Sequence, residues 1–96
     1  MFPKIDYFKF DGHNLSYGNY GGFDYSAGVA GGSITGTSAD PAPVDAYDAL
    51  FYSHDLAYQQ SSNPVELRQA DIQVVEGVLG LLHSAASDAA SGWLLW

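Results

Sequence analysis

His54, Asp55 and Asp71 are the residues whose types and spacing could do chemistry. An imidazole can take up and return a proton near neutral pH when a carboxylate fixes its tautomer. His54 shares a helical face with Tyr47, Phe51 and Tyr58, and Asp71 shares one with Leu67, Val74 and Val78. Both lie about 9–10 Å from the turn that would join the two helices, so they are level across the pair. A carboxylate on an apolar stripe is costly unless paired, and His54 is its natural partner. The same pair would also serve as a plain hydrogen-bonded contact within a core, and the residues alone leave both readings open. Consecutive helical positions diverge by about 100°, so Asp55 faces the sector next to that of His54. A carboxylate there, covered by backbone carbonyls, makes a hard-oxygen site suited to Ca²⁺.

The elements that must position these groups can be read on either side of Pro43. From 43 to 60 the spacing predicts a helix, with Pro43 in its first turn and Asp45 and Asp48 complementing its dipole. Ser61-Ser62-Asn63 reads as a turn, with Asn63 as N-cap, Pro64 in the first helical position and Glu66 three residues after the cap. A second helical region is expected over 64–91; Gly77 and Gly80 either break it, with a third, C-terminal helix following, or lie under another backbone. Residues 1–43 read as loop. Eight glycines between Gly12 and Gly36 alternate with Tyr17, Tyr20, Phe23 and Tyr25, a texture of a backbone cradle rather than of a linker. Within it, 31–42 reads as a mobile excursion. The expected fold class is therefore all-α: two antiparallel helices carrying the site, a Gly/Tyr-rich loop before them and a third helix after, in one domain over 1–96.

Composition narrows the partners. Three Lys plus Arg stand against 11 Asp plus Glu, a net charge of −8, which excludes nucleic acid and favours a cation. No cysteine is present, so disulfides, thiolate metal sites and a thiol nucleophile are all excluded. The N-terminal residues lack the basic and apolar regions of a cleavable secretory signal, so export would proceed without one or as part of a larger exported protein. With so few cations, contact with a membrane surface would fall to Phe2, Phe8, Phe10, Trp93 and Trp96.

The run Pro43-Val44-Asp45-Ala46-Tyr47-Asp48, five residues, then His54-Asp55-Leu56-Ala57-Tyr58, resembles the active-site helix of the phospholipase A2 superfamily. The segment from Gly18 to Gly28 is similar to that family's calcium loop, and Asp71 to its supporting aspartate. Gly21 stands where secreted members carry a loop cysteine, and Phe23 and Asp24 replace a Pro and a Gly. The chain looks more like the cysteine-free viral and bacterial members. The resemblance covers about residues 17–78, with 17–36 as calcium loop and mobile loop. It implies calcium-dependent hydrolysis of the sn-2 ester of a glycerophospholipid. His54 would be the general base, with Asp71 orienting it and Tyr58 bonded to Asp71. Ca²⁺ would be held by the Asp55 carboxylate and the carbonyls of Tyr20, Gly22 and Asp24, and the Gly22 N–H would add an oxyanion donor. Other functions compatible with these residues are a non-catalytic, calcium-dependent phospholipid-binding module, or an interaction domain of a larger secreted or toxin protein.

Overall fold

A computed structural model describes residues 1–12 and 14–94. A 3₁₀ turn over Ile5–Tyr7 leads into strands β1 (Phe8–Asp11), β2 (Asn14–Tyr17), β3 (Gly21–Gly22), β4 (Tyr25–Ser26) and β5 (Val29–Ala30). Helices α1 (Ala46–Gln60) and α2 (Pro64–Leu94) follow. The all-α expectation is thus wrong: the chain is mixed, with two helices and two small antiparallel sheets. One sheet has the order β1-β2-β3 and the other pairs β4 with β5. The register sets Phe8 opposite Tyr17 and Phe10 opposite Leu15. Ala27 (φ 54°) and Gly28 (φ 78°) connect β4 to β5, the left-handed pair that a tight hairpin turn requires.

Both helices begin on side-chain caps. The Asp45 carboxylate accepts from the Asp48 N–H at 2.8 Å. That cap places the start of α1 at Ala46, three residues after Pro43. Asn63 Oδ1 accepts from Val65 N at 2.9 Å, and Pro64 opens α2 as expected. No third helix exists among the described residues, because α2 runs unbroken for 31 residues. Gly77 does not break it. A Cβ there would lie 2.7 Å from Leu50 Cδ2, so the glycine lets α1 come close. A Cβ at Gly80 would meet nothing within 4 Å, and no contact in the fold explains that glycine. Leu50 facing Gly77 and, one turn later, His54 facing Asp71 make the helices antiparallel.

The core is built largely on tyrosine. Tyr17, Tyr20 and Tyr47 are buried with Ile34, Ala70 and Ala85. The Tyr17 ring meets Phe8, Tyr7, Phe51 and Tyr47 edge-on, at centroid distances of 4.8, 5.9, 6.1 and 6.3 Å. Such pairs contribute about 0.5–1.5 kcal/mol each beyond burial. The hydroxyls of the three buried tyrosines each find an acceptor: Tyr17 donates to Asp45, Tyr20 to the Pro41 carbonyl and Tyr47 to the Met1 carbonyl. Burial first, then the Asp45 carboxylate at Tyr17 and the Asp40 carboxylate near Tyr20, push both phenols up to about 12. The excursion over 31–42 is tied down. Ile34 is buried, and its carbonyl accepts from Gln59 Nε2 at 2.9 Å. Asp40 accepts from Thr35 N, Gly36 N and the Tyr52 hydroxyl at 2.7–2.9 Å. Those bonds, the Thr35 N–H first, hold its carboxyl down at about 2.

Candidate active site

The helix pair delivers His54 and Asp71 as their spacing requires. His54 Nε2 lies 2.7 Å from Asp71 Oδ1, and the Tyr58 hydroxyl donates to the same oxygen at 2.8 Å. A carboxylate only accepts, so Nε2 carries the proton and Nδ1 keeps its lone pair. The His54 bond first, then the Tyr58 bond, hold the Asp71 carboxyl below its ordinary range. Asp71 bonding in turn raises the Tyr58 phenol. The pair is not in a dry core. The Asp71 side chain is 53% exposed and that of His54 29%, so the partnership positions the ring more than it rescues a buried charge.

Nδ1 is turned toward Asp55. Its distance to Asp55 Oδ1 is 3.9 Å, too long for a direct hydrogen bond. The other carboxylate oxygen, Oδ2, accepts from the Ser26 hydroxyl at 2.7 Å. Burial pushes the Asp55 carboxyl up, against the opposing pull of Ser26 and His54. Among the described residues no lysine or arginine pairs with it. A half-buried carboxylate left in that state gains from a cation.

Asp55, Tyr20, Gly22 and Asp24 all line one cavity of about 800 Å³, which His54 and Tyr58 also reach. The loop bends around it with Gly22 at φ 146° and Asp24 at φ 48°. Aspartate thus takes the left-handed conformation that a glycine would adopt more cheaply. Among the described residues no three His, Cys, Asp or Glu side chains converge. A cation at Asp55 would therefore draw its remaining ligands from backbone oxygens, a donor set that suits Ca²⁺. The Asp24 carbonyl is already engaged by Gly31 N at 2.6 Å and has one lone pair left to offer. Phe23, Ile34, Phe51 and Val74 give the cavity apolar wall, with Ser33 and Gln59 as polar lining beside them.

The aromatics expected to meet a membrane surface divide. Phe8 packs on Tyr17, whereas Phe10 is 72% exposed and Phe23, at the cavity, is 82% exposed. Phe2 is exposed too. Trp96 lies outside the described residues, as does the side chain of Trp93. Sequence reasoning missed Ser26, whose grip on Asp55 has no local signature, and the part played by Asp48. The Gly21 backbone lies against the Phe51 ring, where an added Cβ would come within 2.7 Å of Cδ2. Loop and helix meet there by packing, with no cysteine to link them.

No family model matches the chain, and no curated protein or solved structure is significantly similar to it.

Proposed function

We propose that this chain is a calcium-dependent phospholipase A2, hydrolysing the sn-2 ester of glycerophospholipids at a membrane surface. One observation carries the reading: a histidine whose Nε2 is bound to Asp71 at 2.7 Å while its free Nδ1 faces Asp55 across 3.9 Å, at the wall of an apolar cavity. In this reading Nδ1 of His54 removes a proton from water as the oxygen adds to the ester carbonyl. The same nitrogen returns the proton to the departing glycerol oxygen, so fatty acid and lysophospholipid leave with the elements of water shared between them. Asp71, ionised, stabilises the imidazolium formed in between, and Tyr58 keeps that carboxylate aligned. Such base catalysis contributes about 10²–10⁴-fold. Ca²⁺, held by the Asp55 carboxylate and the carbonyls of Tyr20, Gly22 and Asp24, would supply positive charge for the phosphate and the developing oxyanion. The Gly22 N–H adds a donor toward that oxyanion. Phe10 and Phe23 offer apolar contact with the bilayer, which suits a chain of net charge −8.

The engaged Asp24 carbonyl favours a second reading, a module that binds phospholipid through calcium without turnover. A fluorogenic phospholipid assay with and without EGTA decides between them. Calcium-dependent release of fatty acid supports the enzyme. Calcium-dependent vesicle binding without release supports the module, and neither activity refutes both.

A further inference from the structure

Asp48 takes no part in the chemistry above, and its place three residues after Asp45 suggests only a favourable charge near a helix start. In the fold its side chain is 0% exposed. The carboxylate accepts from Asn19 N at 3.0 Å, Tyr20 N at 2.9 Å and Val44 N at 2.9 Å. Gly18 (φ 58°) lies directly against it, and a Cβ there would sit 2.5 Å from Asp48 Cγ. Position 18 thus excludes a side chain twice over, by its dihedral angle and by the space the carboxylate fills. Oriented amides of a non-helical loop make an anion-binding concavity. Here the chain fills it with its own anion.

These bonds control one peptide group in particular. The peptide joining Asn19 to Tyr20 is planar, so its two ends move together. Its N–H is held by Asp48, and its carbonyl accepts from Gly28 N at 2.9 Å. The Tyr20 ring is fixed at its far end by the Pro41 carbonyl, and the next residue, Gly21, is paired with Tyr17 and covered by Phe51. The Tyr20 carbonyl therefore stands between two immobilised neighbours, on the wall of the cavity that contains Asp55.

We propose that Asp48 is a positioning residue: by holding the amides of Asn19 and Tyr20 it fixes where the loop presents the Tyr20 carbonyl to a cation at Asp55. Its effect on calcium rests on the function proposed above, whereas its effect on the loop does not. The test is Asp48→Asn, read by calcium titration calorimetry, amide hydrogen exchange without metal, and the melting temperature. An amide side chain keeps the size but loses the charge and sets an NH₂ group against the loop amides. The expected result is faster exchange at Asn19 and Tyr20, retained protection along α1 and α2, and at least tenfold weaker calcium binding. A control, Tyr47→Phe, loses the bond to the Met1 carbonyl and should lower the melting temperature with calcium affinity unchanged. Calcium affinity within twofold of wild type in Asp48→Asn, or unchanged exchange at Asn19 and Tyr20, overturns the proposal. If Asp48→Asn does not fold, Gly18→Ala keeps the charge but displaces the carboxylate, and the same loss of affinity and loop protection is expected; wild-type values for either overturn it. If the wild-type protein binds no calcium, the calcium reading fails by itself. Exchange then decides the rest: acceleration confined to the loop upholds the positioning role, and none, or a uniform rise, overturns it.

Discussion

Between α1 and α2 the contacts run from side chain to side chain: Leu50 on Gly77, His54 and Tyr58 on Asp71. Between the loop region and α1, ring packing of Tyr17 on Phe51 and Tyr47 is joined by carboxylate and amide side chains that reach across to backbone. Asp48 holds the amides of Asn19 and Tyr20, and Gln59 reaches the Ile34 carbonyl. The helix pair can therefore lose one polar contact and keep its shape, because apolar packing remains. Around Asn19 and Tyr20 the path of the loop depends on the polar contacts themselves. Removing a carboxylate there leaves buried N–H groups without acceptors, at about 1–3 kcal/mol each.

The largest expected effect lies on the helix side. His54→Gln should lower hydrolysis at least 100-fold while the melting temperature stays within a few degrees of wild type, since general-base action is the term removed. Activity above a tenth of wild type would remove His54 from its role. Asp71→Asn should cost about 10–100-fold, the usual effect of disturbing the group that orients a functional histidine. Its structure should stay intact, because Asp71 is half-exposed. A collapse of the fold in this variant would break the comparison.

A smaller, opposite-signed effect is expected at Asp55. Burial raises this carboxyl in the folded chain, so its ionised form opposes folding above the ordinary carboxylate range. Asp55→Asn should raise the metal-free melting temperature by a few degrees and abolish the further rise that calcium gives the wild type. Differential scanning calorimetry at pH 7 with and without calcium measures both. A lower metal-free melting temperature contradicts the charge argument.

The pH limits separate the two regions most finely. Asp40 titrates at about 2 in the fold against an ordinary 3.8, so its contribution is complete above about pH 4 and is lost as pH falls toward 2. The 35–40 loop should loosen over that window, seen as faster amide exchange at Thr35 and Gly36, before α1 and α2 lose helical circular dichroism. At the other end, Tyr17 and Tyr20 must stay neutral to remain buried. Their stabilising effect is whole below pH 10 and declines as pH rises through about 12. Phenolate absorbance should therefore rise in two stages, the exposed tyrosines first, with the last stage coinciding with unfolding.

The asymmetry also explains what could be read in advance. Helices declare themselves through caps and spacing: Asn63 and Pro64 stand where α2 starts, and His54 and Asp71 meet because 3.6-residue geometry leaves them little choice, whereas Pro43 sets the expected start of α1 three residues ahead of Ala46, where the Asp45 cap places it. The strands gave no such signal. They are two to four residues long, carry glycine at Gly21 and Gly22, and show no sustained alternation. Asp48 was invisible for a different reason. A carboxylate near a helix N-terminus already has an adequate explanation in the dipole, so nothing in its position asks for another. Ser26 and Asp40 act across 29 and 12 residues of chain, on Asp55 and Tyr52, and no local pattern encodes such distances.

The unequal length of the helices has a consequence for local unfolding. α1 is 15 residues long and α2 is 31, and Ala85 is the last buried residue described on α2. From 86 to 92 every residue is exposed. That stretch is too short to be a stable helix alone in water and persists only by extending one already formed. Amide exchange along α2 should therefore be graded: slow where Leu50 and His54 cover it, and progressively faster beyond Ala85. The last turns can then open and close many times while the far half of the helix, which carries Asp71, stays folded.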